Sequence, residues 1–167
     1  MSQFTVRQLN GDDWQLYRNV RLESLNKHPA FFSPSRDETL FTENDWKERL
    51  TSANSATFGL FEDSKIIGIT GIFKDGNDPK ASKAYLVSSY IKENHRKQGL
   101  SSLFYEARIN WAKEQKSISS LIVEHRDDNI PSQRVHQKFG FRFVESNDEE
   151  WPDGQIRPCL KYQLDLK

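Results

Sequence analysis

Residues 93–114 read ENHRKQGLSSLFYEARINWAKE. Leu100, Leu103, Phe104, Ala107, Trp111 and Ala112 recur at three- and four-residue spacing, which predicts a helix with one apolar face. The start of that helix runs against a physical rule. Unpaired backbone N–H groups at a helix N-terminus carry partial positive charge, so Ser, Thr, Asp or Asn caps and an acidic first turn are favoured. Here the first turn follows His95, Arg96 and Lys97, Gly99 sits at its edge, and no acid appears from there until Glu106. A negative charge from outside the chain would make this arrangement favourable.

A phosphate would supply it. A helix N-terminus with a Gly and small residues lets backbone N–H groups approach a phosphate closely, and the helix dipole favours the anion. On this reading Arg96-Lys97-Gln98-Gly99-Leu100-Ser101 is an anion-binding turn whose basic side chains face the ligand. The competing reading makes Gly99 a plain turn residue and the basic trio a solvated surface. A lone Gly with basic neighbours does not by itself decide between them.

Outward from this stretch, AYLVSSYI before it predicts a strand, and SSLIVEHR after it is the near-continuous apolar run of a buried strand. DDNIPSQRVHQKFG predicts a helix ending at Gly140, the usual residue at that end. FRFVES and CLKYQLDL alternate and predict paired strands around the loop NDEEWPDGQIRP. Toward the N-terminus, ATFGLFEDSKIIGITGIF predicts two strands joined at Asp63-Ser64. FTVRQL predicts a first strand, Trp14, Tyr17, Val20, Arg21 and Leu25 a helix ending near Pro29, and Asn44-Asp45 the cap of a short helix through Trp46 and Leu50. AFFSPSRDE and FKDGNDPKASK read as loops. The order predicts a mixed α/β (α+β) domain over residues 1–167, with a mixed central sheet flanked by helices.

Composition bounds the possibilities. Of 167 residues, 35% are hydrophobic and 29% charged, but 11 Phe, 5 Tyr and 4 Trp supply enough apolar surface for a packed core. Lys plus Arg (24) balance Asp plus Glu (24), which argues against nucleic acid or a membrane as the main partner. Cys159 is the single cysteine, so there is no internal disulfide and no metal set of close ligand spacing. MSQFTVRQLNGDDW lacks the apolar run of a signal peptide, and IIGITGIF is too short to span a bilayer. The expectation is a cytoplasmic protein, monomer or homodimer, without a metal.

The turn resembles the acyl-CoA-binding motif of the Gcn5-related N-acetyltransferases (GNAT), Arg/Gln-x-x-Gly-x-Gly/Ala between a strand and a helix. Arg96 and Gly99 match, and Ser101 replaces the third small residue. SSLIVEHRDDNIPSQRVHQKFGF resembles the family's next strand, Asn-containing bend and helix ending in Gly-Phe, and the element order fits over essentially the whole chain. The resemblance implies the GNAT fold, with a splayed strand pair at the acyl-CoA site. It implies acetyl-CoA as acyl donor, its pantetheine arm paired with the backbone of Ser89, Tyr90 and Ile91. Its pyrophosphate would lie on the backbone of Lys97, Gln98, Gly99, Leu100, Ser101 and Ser102, with Arg96 flanking and Asn129 near the thioester end. The negative charge that the helix start calls for is then the pyrophosphate of coenzyme A.

The implied reaction is direct attack of a primary amine on the bound thioester. An amine with a reference pKa near ~10 is mostly protonated at neutral pH, so a general base is needed. Glu124 matches a base of the similar ribosomal-protein alanine acetyltransferases, and burial at the end of an apolar strand would raise its pKa. The other reading is a rim carboxylate paired with Arg126. His136 stands where many relatives carry a Tyr thought to protonate the departing thiolate. NIPSQRVHQ resembles the run around that His in phosphinothricin acetyltransferases. A neutral imidazole, pKa about 6.5, is a poor acid at pH 8, so a packing His is the equal alternative. Alternation turns His125 away from Glu124.

By the same resemblance the acceptor enters between Phe31–Trp46 and Asn147–Arg157. The second segment carries Asp148, Glu149, Glu150, Trp151 and Asp153, suited either to a cationic amine or simply to solvent. Two functions stand: an N-acetyltransferase acting on a small-molecule or peptide amine, and a noncatalytic acyl-CoA-binding regulatory module, favoured by the missing Tyr at 136.

Overall fold

The computed structural model describes residues 3–27, 37–74 and 80–166. Seven strands form one sheet in the order β1-β2-β3-β4-β5-β7-β6. They are β1 (Phe4–Gln8), β2 (Ser55–Glu62), β3 (Lys65–Lys74), β4 (Lys83–Ile91), β5 (Ser120–Arg126), β6 (Arg142–Glu150) and β7 (Ile156–Asp165). Among the described residues four α-helices cover it: α1 (Trp14–Lys27), α2 (Glu43–Thr51), α3 (Ser101–Glu114) and α4 (Ile130–Lys138). This is the mixed α/β architecture expected from the element order.

The cores explain the strand compositions. On one face Tyr17 and Val20 of α1 and Trp46 and Leu50 of α2 pack on Phe61, Ile66, Ile69 and Tyr90. On the other, Tyr105 and Ala112 of α3 pack with Phe58, Ile72, Leu86, Leu121, Val123 and Tyr162, and Val135 of α4 lies against them. β2 and β3 are covered on both faces, so their sequences are apolar almost throughout rather than alternating. Trp46 is fully buried, and truncation of such a side chain to Ala costs about 3–5 kcal/mol.

Local signals account for the ends of elements. Asn10 caps a short 3-10 turn, Gly11–Asp13, that leads into α1. The cap of α2 is Thr42 rather than Asn44-Asp45: the Thr42 hydroxyl accepts from the Asp45 N–H at 3.2 Å, and the Thr42 N–H donates to the Asp45 carboxylate at 2.9 Å. The last hairpin is longer than expected, because its strands run to Glu150 and from Ile156 and leave only a tip at 151–155. Most of AFFSPSRDE, Phe31 included, and part of FKDGNDPKASK lie outside the described residues.

One seam positions everything that follows. All neighbouring strands are antiparallel except β4 and β5, which run parallel and pair only as Lys83–Ser120, Ala84–Leu121, Tyr85–Ile122 and Leu86–Val123. Beyond that point both strands continue, β4 to Ile91 and β5 to Arg126, without pairing to each other. The cause lies in β4. Its register against β3 shifts between Val87, opposite Gly71, and Tyr90, opposite Ile69, and Ser88 within the shift has φ +59°. A bulge with a residue in the left-handed region bends its strand, and here it steers β4 away from β5.

Candidate active site

The split between β4 and β5 opens toward the turn that precedes α3. Lys97 and Gly99 both have positive φ, +63° and +74°, so the backbone folds tightly across Lys97–Leu100. A Cβ built on Gly99 would meet no protein atom within 4 Å, so its missing side chain leaves open space beside the helix start. Leu100 occupies the cap position of α3 with no side-chain hydrogen bond, and the first turn holds no acid. Positive helix-end charge thus meets basic residues, as the sequence indicated, with room for an anion.

Each residue expected at the donor site has a definite place. Arg96 bends back, its Nε donating to the Ile91 carbonyl at 2.7 Å and its guanidinium 5.5 Å from the Tyr90 ring centre, which ties the turn to the end of β4. Lys97, Gln98 and Gly99 are exposed, Leu100 is buried, and Ser101 and Ser102 are half-buried. Lys138 of α4 donates to the Ser102 hydroxyl at 3.3 Å. The side chains of Ser89 and Tyr90 leave β4 on opposite faces. Ser89 meets the Thr70 hydroxyl at 2.7 Å, whereas the Tyr90 hydroxyl donates to Glu23 at 2.7 Å, and burial together with Glu23 pushes it up to about 12. Asn129 caps α4 just beyond β5, its side-chain oxygen accepting from the Ser132 N–H at 3.4 Å.

The proton-transfer candidates diverge. Glu124 follows Val123, the last residue of β5 paired with β4, and is 42% exposed at its side chain, not buried as the apolar strand suggested. Its neighbours are Lys161 at 3.7 Å and the Cys159 thiol at 3.9 Å. Arg126 is not its partner, because that guanidinium is held by Asp128 at 2.9 Å and Asp153 at 2.7 Å. Burial, with Glu149 and Glu124 nearby, pushes the Cys159 thiol up to about 12, which leaves it un-ionised at neutral pH and a poor nucleophile.

His136 has no exposed surface. Its ring lies 4.0 Å from Tyr162 and 4.8 Å from His125. Burial, and then the neighbouring His125, lowers it to about 4, so it is neutral across the physiological range. This geometry matches the packing alternative.

In the last hairpin, Asp148, Glu149 and Glu150 line the exposed edge strand β6. Trp151 is buried, its indole N–H donating to the Arg157 carbonyl at 3.1 Å, and Asp153 is occupied by Arg126. Trp46 lies in the core and offers no surface to an acceptor. Among the described residues no group of His, Cys, Asp and Glu could hold a metal ion, and no helix is long and apolar enough to cross a membrane.

Sequence reasoning missed Arg108. It is buried on α3 and donates to the Ser89 hydroxyl at 3.2 Å, at the edge of the split. The signal was present, since Phe104, Arg108 and Ala112 form one four-residue-spaced row and put a charge in the apolar stripe.

The fold has relatives among solved structures. The fold matches an acetyltransferase of the GNAT family from Streptococcus pneumoniae at 20% identity, with TM-score 0.81, covering 99% of this chain and all of that one. It matches a ribosomal-protein-S5-alanine acetyltransferase from Vibrio fischeri at 16% identity and TM-score 0.79, covering 99% and 96% of the two chains. A ribosomal L7/L12 alpha-N-protein acetyltransferase in complex with coenzyme A matches at 12% identity and TM-score 0.76, covering 97% and 93%. The family model described as "Acetyltransferase (GNAT) family" matches residues 19–141, most of the chain. The chain therefore belongs to the acetyltransferase (GNAT) family and is an acyltransferase.

Proposed function

We propose that the protein transfers an acetyl group from acetyl-CoA to a primary amine of a peptide or small molecule, with both substrates bound together. The observation that carries this reading is the run of β4, Val87–Ile91, that is left without a β5 partner ahead of the open glycine turn at the start of α3. A diphosphate fits that turn, because Gly99 leaves space where a Cβ would stand and α3 begins without an acidic or side-chain cap. Backbone groups of Ser89, Tyr90 and Ile91 would hold the adjoining arm, while the Tyr90 side chain packs in the core and the Ser89 hydroxyl meets Thr70. Acetyl-CoA supplies the activated acyl group.

Of the chain's own residues, Glu124 is the base we assign. It lies at the first position past the seam, open to solvent and hence to an incoming amine, directly or through water. Alignment of the two substrates across the split supplies the rest, without a covalent enzyme intermediate. We assign His136 a packing role and propose no proton transfer through it. A thiol with reference pKa near ~8.5 leaves without an acid more readily than an alkoxide. Solved neighbours named for acetylating ribosomal proteins support a peptide amine as acceptor, and the acidic edge strand β6 suits a cationic one.

The experiment is a calorimetric titration with acetyl-CoA followed by thiol-release assays over a panel of peptide and small-molecule amines. Binding with acceptor-dependent thiol release is the expected result. Binding without release for any amine would favour the noncatalytic module, and absence of binding would remove the reading.

A further inference from the structure

A cation withdrawn from water is costly unless an opposite charge or a full set of acceptors accompanies it. Arg108 has neither. It is 1% exposed, and no carboxylate lies within ion-pair distance of it among the described residues. Its Nε donates to the Phe104 carbonyl at 3.2 Å on its own helix, and one terminal nitrogen reaches the Ser89 hydroxyl at 3.2 Å and, at a longer 3.5 Å, the Gly71 carbonyl. The other terminal nitrogen is buried and has no hydrogen-bond partner. The Tyr105 ring lies 4.7 Å from the guanidinium. Burial lowers the group to about 10, with Tyr105 offsetting part, so it remains charged at neutral pH.

The position of this charge is specific. Gly71 is the β3 partner of Val87, and Ser89 lies two residues further along β4. Arg108 therefore contacts both sides of Ser88, the left-handed residue of the bulge, two residues past the end of the β4–β5 ladder. An apolar residue would satisfy the stripe to which Arg108 belongs, because Phe104 and Ala112 occupy it on either side.

We propose that Arg108 is a positioning residue for acyl transfer, bracing the β4 bulge from beneath and holding an uncompensated positive charge under the point where the donor's acyl end passes between the strands. The inference rests on the acetyl-CoA reading above. A fixed charge at low dielectric favours negative charge that grows nearby during reaction, and it acts there through Ser89 and the bulge rather than by touching the donor.

The test compares Arg108→Met, similar in length but uncharged, with Arg108→Lys. Three quantities are read: thermal midpoint of the free protein, acetyl-CoA affinity, and steady-state kinetics with an amine that the wild-type enzyme accepts. For Arg108→Met the midpoint should stay or rise, since a lone buried charge is removed. Affinity should change less than about threefold, and kcat should fall roughly ten- to hundredfold, below the ~10²–10³ of losing a direct oxyanion donor. Arg108→Lys should recover part of that loss. Wild-type kcat in the Met variant, a much lower midpoint, or no recovery by Lys would each overturn the proposal. The midpoint is measured without donor, so failure of wild-type protein to bind acetyl-CoA is distinguished from failure at Arg108.

Discussion

The His136 ring packs 4.8 Å from that of His125, on the face of β5 opposite to the one from which Glu124 projects. The two residues that chemistry would pair as base and acid are therefore separated by the sheet. Proton traffic at this site divides accordingly, and its parts respond to different substitutions.

Glu124→Gln fills similar space and cannot accept a proton. It should leave acetyl-CoA affinity unchanged and lower kcat by about 10²–10⁴-fold, the usual worth of general-base assistance. Steady-state rates with affinity measured in parallel check this. A loss under about tenfold would reduce Glu124 to a partner of Lys161.

His136→Phe, replacing one planar ring by another beside Tyr162, should keep kcat within about threefold and leave the alkaline limb of the pH–rate profile in place. A limb that disappears in the variant would restore His136 as the acid.

The same histidines set an acid limit on stability. Both are lowered to about 4 in the folded protein, against about 6.5 unfolded. Between those values the unfolded chain binds protons that the native one refuses, so stability falls as pH drops from about 6.5 toward 4. Urea midpoints should decline over that window, and less steeply for a His125→Phe, His136→Phe double variant. Equal slopes in the two proteins would refute it.

Gly99→Glu should fold and fail to bind acetyl-CoA. The added Cβ meets no protein atom, and the positive φ costs roughly 1–2 kcal/mol, but the carboxylate would stand where we place the pyrophosphate. Titration of the variant at the wild-type affinity would remove the assignment of the turn. Arg96→Ala should weaken binding less, and most visibly at low salt, because an exposed contact is screened.

Glu38 anchors the described chain ahead of α2 to α1. It is 2% exposed and accepts from Arg21 Nε at 2.9 Å and Arg49 at 2.7 Å. Burial alone would raise its carboxyl, yet Arg21 and Arg49 outweigh that and hold it below the usual range. Glu38→Gln should cost about 3–5 kcal/mol in urea unfolding, as for other broken buried pairs, with the wild-type advantage fading below about pH 4.

The turn ahead of α3 was more legible in the sequence than the surroundings of Glu124 and His136. The start of α3 was legible because an uncapped basic helix end is a local contradiction that an anion resolves. The split was not derivable from local pattern: it depends on Ser88 at φ +59°, and Ser carries no signature of that conformation. Alternation placed His125 opposite Glu124 correctly, but only the packing of α4 shows His136 on the His125 side. Glu124 seemed buried because its strand is apolar, whereas it alone in β5 is exposed, just past the seam, with His125 and Arg126 beyond it buried. The Trp151 anchor is likewise tertiary, since its indole bonds a carbonyl of the facing strand.

The seam described above also has a mechanical meaning. Strands β1–β4 form one antiparallel block and β5, β7 and β6 another, and four register pairs join them. Cooperative opening follows contact density, so we expect the two blocks to exchange their amide hydrogens at different rates, with the seam as the hinge between them. An arm bonded to β4 within the split would lengthen that hinge's ladder. Donor binding should then slow hydrogen exchange far from any phosphate, along the inner edges of both blocks at once.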